Sequence, residues 1–240
     1  MKNQPESDHW PTVQWTDDER FAARMTTSTL HFFNGKDVGG KEEFNLVVKN
    51  LLQFSLVCGV AKSKDGISTK EYRAATFVPE KNNTMASVTV WRLNDKAGAD
   101  PSATPAQRAP QKEVTKGFGR GQKVDFLWNS PATALIIKAF SAVDKSGGSY
   151  YGTYDCYYVR VDGSVDINLR PKREGTIHDV QWDVYGRRFV MVYGAQPASA
   201  SVYNLKANVI AEFGTGSRNF ASFSPGGHLI TLAGFGSLKG

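Results

Sequence analysis

His9, His31, His178 and His228 are the only imidazoles of the chain. Imidazoles are the usual metal ligands and general bases, and no two of these lie at the short spacing that puts a pair of ligands on one zinc ion. His178 and Asp179 are neighbours in a strand-like run, so their side chains point to opposite faces and cannot relay a proton to each other. Cys58 and Cys156 stand alone in strand-like runs. Two isolated thiols build neither a disulfide framework nor a four-thiolate zinc site, and they fit a reducing compartment. Gly117-Phe118-Gly119-Arg120-Gly121 resembles half a dinucleotide fingerprint, but it precedes a strand instead of following one and opening a helix, so no helix N-terminus cradles a phosphate there. Gly35-Lys36-Asp37-Val38-Gly39-Gly40-Lys41 lacks the Gly-Lys-Ser/Thr ending of a P-loop and reads as a flexible connection. No catalysis, no cofactor and no metal are expected.

The elements that carry these residues repeat. Val13 and Trp15, then Thr16-Asp17-Asp18-Glu19, then Phe21 to Met25 make an alternating strand, a turn and a second strand. The phrase returns at Val124 to Trp128, Asn129-Ser130-Pro131 and Thr133 to Phe140, and at Ile177 to Trp182, Asp183 to Gly186 and Arg188 to Tyr193. Asn219 to Phe223, Ser224-Pro225-Gly226-Gly227 and Leu229 to Ala233 repeat it again, and a weaker copy runs through Phe54 and Tyr72 to Val78. Trp128 and Trp182 are 54 residues apart and Trp182 and Phe223 are 41 apart. A period of this size with four strand signals per unit and almost no helical periodicity predicts an all-β fold, a β-propeller of four-stranded antiparallel blades.

Four blades are expected: strands at Val13–Trp15, Phe21–Met25, Thr29–Phe33 and Phe44–Val48; at Leu52–Cys58, Tyr72–Val78, Val88–Leu93 and a weak Lys112–Val114; at Val124–Trp128, Thr133–Phe140, Tyr154–Val161 and Val165–Leu169; and at Ile177–Trp182, Arg188–Tyr193, Ala200–Leu205 and Val209–Phe213. Two strands of a fifth follow, giving a partial ring of about four and a half blades over 1–240. Residues 94–111, NDKAGADPSATPAQRAPQ, have no alternation and are expected to be a disordered insertion within the second blade. With 40% hydrophobic and 12% aromatic residues the chain is globular. No segment approaches the roughly 20 apolar residues of a membrane span, and the N-terminus MKNQPESDHW has no signal-peptide core.

The words Asp144-Lys145-Ser146-Gly147-Gly148-Ser149-Tyr150-Tyr151-Gly152, Val202-Tyr203-Asn204-Leu205-Lys206, Phe213-Gly214-Thr215-Gly216-Ser217-Arg218-Asn219 and Leu232-Ala233-Gly234-Phe235-Gly236-Ser237-Leu238 resemble the eukaryotic translation initiation factor 2A family. The likeness runs more loosely back to Trp15 and His31-Phe32-Phe33. The related propeller of initiation factor 3 is similar in blade patterning and shares fewer of these words. The resemblance implies a nine-bladed, non-catalytic, WD-repeat-like propeller of the cytoplasm. Its implied partners are the small ribosomal subunit, initiator methionyl-tRNA, mRNA and other initiation factors, with no membrane. The family's basic, unfolded tail and further blades have no counterpart in this sequence. An open arc leaves a blade face uncovered at each end, and the burial forfeited rivals the stability of a whole domain. Self-association through those faces, or aggregation, is therefore expected.

Charge gives the site expectation. The net charge is +6 and the isoelectric point about 9.2, which by itself is ordinary solubility. Placement adds more. In a propeller the connections between strands two and three, and from strand four to the next blade, emerge on one face. Here they carry Lys116, Arg120, Lys123, Lys145, Arg170, Lys172, Arg173 and Arg218 against few acids such as Asp144 and Glu174. These residues are the expected phosphate contacts for nucleic acid or ribosome. Tyr150 and Tyr151, on a glycine-bordered loop of that face, are candidates to stack on a base or on a partner side chain, although paired tyrosines at a loop end more often cap the blade core. The opposite face is mixed, with Asp17, Asp18, Glu19, Asp162 and Asp183 beside Arg187, Arg188 and Lys206.

Overall fold

The structure is a computed structural model and describes residues 12–62, 68–81, 84–95, 104, 108–119, 121–142, 152–236 and 238. Blade 1 consists of β1 (Val13–Trp15), β2 (Phe21–Thr26), β3 (Thr29–Asn34) and β4 (Phe44–Val47); blade 2 of β5 (Gln53–Lys62), β6 (Ser68–Val78), β7 (Ala86–Leu93) and β8 (Gln111–Phe118). Blade 3 consists of β9 (Lys123–Trp128), β10 (Ala134–Ser141), β11 (Thr153–Arg160) and β12 (Asp166–Leu169). Blade 4 follows with β13 (Ile177–Trp182), β14 (Arg188–Tyr193), β15 (Ala198–Asn204) and β16 (Val209–Gly216), and β17 (Phe220–Phe223) and β18 (Ile230–Ala233) begin a fifth. Each sheet joins strands consecutive in sequence, all antiparallel. These are the blades of an all-β propeller, as the repeat predicts. The chain divides into two compact units, Met1–Gly121 with blades 1 and 2 and Gln122–Gly240 with the remainder. Of the insertion expected at 94–111, residues 96–103 and 105–107 lie outside the described residues.

Blades pack face to face, so the second strand, which lies within the sheet, is apolar on both sides. Strand β14 shows it: Phe189, Met191 and Tyr193 join Ile136, Cys156 and Tyr158 of blade 3 in one core. Val190 and Val192, one residue out of phase, join Ala198, Ala200, Val202 and Ala221 in the core shared with blade 5. In the first unit Phe21, Leu30, Phe32 and Phe44 of blade 1 meet Phe54, Leu56, Tyr72 and Leu93 of blade 2. The edges of the aromatic rings Phe21 and Tyr72 meet at 5.1 Å between centroids. Not every aromatic anchor is core. Trp15 is 47% exposed, its indole donating to the Gly35 carbonyl at 3.1 Å.

Polar side chains stitch neighbouring inner strands. The Gln14 amide donates to the Phe54 carbonyl and accepts from the Leu56 amide of β5, and Asp179 accepts from the Ala221 amide of β17. The Trp182 indole donates to the Leu127 carbonyl of β9 at 2.8 Å. His178 instead bonds the Gly194 carbonyl, so His178 and Asp179 serve different neighbours.

The turn between the first two strands of a blade is built alike four times. A polar residue, Thr16, Asn129, Asp183 or Ser224, ends the inner strand. Its backbone amide donates to the carbonyl five residues on, and its carbonyl accepts from the amide three residues on. Its side chain accepts from the amide five residues on: Phe21, Ala134, Arg188 and Leu229 respectively. The third residue after it is left-handed: Glu19, Ala132, Gly186 and Gly227, with φ of 56°, 55°, 63° and 69°. Three of the four turns also reach the next turn or the next blade. Asn129 donates to the Gly186 carbonyl, Arg188 to the Gly227 carbonyl, and Asp18 receives Lys70 and Tyr72 of β6.

Blade 2 departs from this rule. Its first two strands continue as a long hairpin, with Lys62 still paired to Ser68. The sequence pattern places the strand ends at Cys58 and Tyr72 because Ser68, Thr69 and Lys70 are exposed and carry no apolar alternation; backbone pairing alone extends the ladder. The fourth strand of blade 2 likewise runs to Phe118, which stacks on Phe77, so Gly117 and Phe118 end a strand and only Gly119 to Gly121 lead into the next.

Burial by itself would push the Asp18 carboxyl up, but hydrogen bonds from Lys70, Tyr72, Thr16 and the Arg20 amide outweigh it and hold the group well below the usual carboxylate range. Such a carboxylate contributes stability that is complete above its unfolded pKa of about 4 and is lost as the pH falls toward the folded value. The thermal midpoint of the wild type is therefore expected to exceed that of Asp18→Asn near neutrality. The gap should close between roughly pH 5 and pH 2; a gap independent of pH would contradict this role.

Candidate functional site

Register defines one end of blades 3 and 4. Phe140 pairs with Lys123 and Tyr154, and Leu169 closes the outer strand against Cys156, so Lys123 and Arg170 share one end of blade 3. In blade 4, Tyr193 pairs with Ile177 and Ser199, and Ser199 with Thr215. The connections 170–176, 194–197 and 217–219 therefore gather at this end. Backbone bonds tie them: the Gly194 amide donates to Thr176 and the Ala195 amide to Glu174. Side chains tie them further. Arg173 donates to the Pro197 carbonyl at 2.5 Å, and the Gln196 amide to the Arg218 carbonyl at 2.7 Å.

The expected cations are not equivalent here. Lys172 donates to Glu212 at 2.7 Å, a hydrogen bond that raises its pKa. Arg173 is half-buried and its methylenes lie against Gly194, whose φ of +93° and crowded Cβ position both demand glycine. Arg218 lies against its own strand, because a side chain at Gly216 would meet its guanidinium at 2.5 Å. Lys172, Arg173, Tyr193, Ser199, Ser201 and Glu212 line a cavity of about 160 Å³. Lys123 and Arg170 are exposed, and among the described residues no carboxylate pairs with either. Lys116 belongs to the first unit, half-buried in β8 opposite Val88. Arg120, Lys145, Tyr150 and Tyr151 lie outside the described residues.

Glu212 was not legible as a partner for Lys172. It lies 40 residues away and only the packing of one blade on the next brings it near. The opposite side of blade 4 is mixed: Asp183 is buried and accepts from the Arg187 and Arg188 amides and the Arg188 guanidinium. In the first unit two arginines are held by pairs of acids. Arg20 bonds Glu43 and Asp95, and the buried Arg73 bonds Glu113 and Glu71.

Potential nucleophiles are poorly placed for chemistry. Burial pushes the Cys156 thiol up to about 12 and raises Cys58 as well, so both are protonated thiols. One hydroxyl–imidazole–carboxylate row exists: Thr26 Oγ1 lies 3.1 Å from His31 Nε2, and His31 Nδ1 lies 2.8 Å from Glu42. Thr26 also bonds the Thr29 carbonyl across the β2–β3 turn. The row thus pins β2 and β3 to the segment that leads into β4. Among the described residues no group of His, Cys, Asp and Glu is arranged to hold a metal ion, and no helix is long and apolar enough to cross a membrane.

A family model described as eukaryotic translation initiation factor eIF2A matches residues 116–240. The chain belongs to this family. It is 34% identical to eukaryotic translation initiation factor 2A of Dictyostelium discoideum over 97% of this chain and 34% of the relative. With the Schizosaccharomyces pombe protein of the same name it shares 32% identity over 95% of this chain and 36% of the relative. A subunit of eukaryotic translation initiation factor 3 from Xenopus laevis is similar at 24% identity over 98% of this chain and 31% of the relative. A crystal structure of a eukaryotic initiation factor superposes with a TM-score of 0.71 at 28% identity, covering 93% of this chain and 48% of its own. The chain spans about a third of the length of the factor 2A relatives it matches. As a family member it carries propeller blades.

The difference between clamped and free cations is measurable. Arg173→Ala is expected to cost about 1–2 kcal/mol in urea unfolding, from a lost hydrogen bond and lost packing on Gly194. Arg170→Ala should stay within about 0.5 kcal/mol of wild type. Equal effects of the two substitutions would contradict the clamp.

Proposed function

We propose that this chain is a non-catalytic translation initiation factor of the cytoplasm whose second unit meets the small ribosomal subunit through the end of blades 3 and 4 described above. Initiator methionyl-tRNA and mRNA are the nucleic acids implied by the family. The observation that carries the reading is the pair Lys123 and Arg170: two exposed cations at one end of a blade, with no carboxylate partner among the described residues. Lys172 joins them by exchanging Glu212 for a phosphate, since both members of that pair are well exposed and such a surface bridge is worth little. Arg173 and Arg218 hold the connections in place and contribute field more than contact. Phosphate contacts release counterions, so binding of this kind weakens steeply with salt.

A second reading has its own support. The cations Arg20, Lys70, Arg73 and Arg92 of the first unit are all paired with acids. That surface suits a protein-only scaffold, as the similarity to the factor 3 protein also suggests. Salt dependence separates the two. The double reversal Lys123→Glu/Arg170→Glu is expected to weaken binding to purified small ribosomal subunits about tenfold or more at low salt. It should also flatten the slope of log K against log salt by about 2, one for each lost phosphate contact. Unchanged affinity and slope in a variant that unfolds like wild type would reject the RNA-facing assignment and favour the scaffold.

A further inference from the structure

The four equivalent turns provide an internal control for what the turn itself requires. All four share the same hydrogen bonds and the same left-handed third residue. At the two central positions blade 1 has Asp17-Asp18, blade 3 Ser130-Pro131 and blade 5 Pro225-Gly226, all common turn formers. Blade 4 has Val184-Tyr185. A β-branched residue and an aromatic are poor turn formers, and burial does not repay them here: Val184 is 47% and Tyr185 53% exposed. A local rule broken without a structural return marks a functional position.

The second central residue does have one packing duty. Pro131 covers Gly186 of the next turn, and Tyr185 in the same way covers Gly227. Val184 also lies against Gly227 through Cγ1. Proline performs that duty in blade 3 without an aromatic ring, and the contact leaves about half of Val184 and of Tyr185 exposed, so packing on Gly227 does not account for the exposed part of either.

The fourth residue after the polar turn residue supplies a second comparison. In blade 1 it is Arg20, whose guanidinium holds the carboxylates of Glu43 and Asp95. In blade 4 it is Arg187, exposed, with its guanidinium 5.5 Å from the Tyr185 ring centroid. Among the described residues no carboxylate pairs with it. Asp183 beneath is already committed to backbone amides and to Arg188. Blade 4 thus presents the cation of the blade 1 arrangement without its anion, beside two exposed apolar side chains.

We propose that Val184, Tyr185 and Arg187 form a docking patch for a segment of a partner protein that supplies a carboxylate to Arg187 and an apolar side chain to Val184 and Tyr185. Tyrosine and arginine are the side chains most enriched at interface hot spots, and the carboxylate replaces what Glu43 and Asp95 give Arg20. An aliphatic neighbour favours protein over RNA: Val184 offers neither a stacking face nor a charge to a nucleotide. The patch lies at the opposite end of blade 4 from the basic connections, so it is independent of the proposed RNA contact.

Selection of a displayed library of random short peptides on the folded 240-residue chain tests the patch. Enriched peptides are expected to pair Asp or Glu with an apolar residue. A synthetic copy should lose at least about tenfold in affinity against Tyr185→Ser and against Arg187→Glu, while a scrambled copy does not bind. Arg187→Glu leaves the ring over Gly227 and carries the test should Tyr185→Ser alone disturb folding. Failure to enrich any peptide that depends on these residues would overturn the proposal. So would patch-dependent binding of a single-stranded uridine oligonucleotide, since that would make the patch a reader of RNA.

Discussion

The closure of the first turn of a blade by one polar side chain is the constraint on which the rest depends. Thr16, Asn129, Asp183 and Ser224 each satisfy the amide that begins the second strand. That bond fixes where the second strand starts. Because side chains alternate along a strand, a slip of one residue would exchange the two faces of every blade, and both faces here are core. In three of these turns a residue of the turn, Asn129, Arg188 or Asp18, then bonds the adjacent turn or blade. Local closure and blade-to-blade spacing are therefore one device, repeated.

Much of this was legible in the residues, and the limits have physical causes. All four strands of blade 4 were placed from alternation and turn words, because Asp183 to Gly186 and the buried run at β14 leave little choice. The shared polar turn residue was visible as a repeated phrase, but its bonding was not. The β5–β6 hairpin runs past its apolar part, where main-chain pairing leaves no hydrophobic signal. Trp15 has the sequence of a core anchor and is half exposed, since a ring ending a short edge strand meets a loop carbonyl at Gly35 instead of a neighbouring sheet. Among the site residues the sign of each charge was readable, but not whether a partner already held it. Glu212 neutralises Lys172 and Pro197 captures Arg173, both through pairings between segments distant in sequence.

Sorting the cations by partner changes the functional picture. A count of basic residues treats Arg170, Lys172, Arg173 and Arg218 alike, whereas the structure divides them into free charge and architecture. Arg20 and Arg73 of the first unit are committed to Glu43, Asp95, Glu71 and Glu113; the second unit leaves Lys123, Arg170 and Arg187 without carboxylates among the described residues. Free charge on a rigid blade end is what a phosphate backbone or an acidic segment can use, and pre-ordered connections lower the entropy cost of using it.

Hydrogen exchange of the chain alone and bound to purified small ribosomal subunits tests the central claim most directly. The account predicts slowed exchange on binding at amides of 170–176 and 217–219, the connections that gather the basic residues. Unchanged exchange in those two segments in the bound state would contradict it.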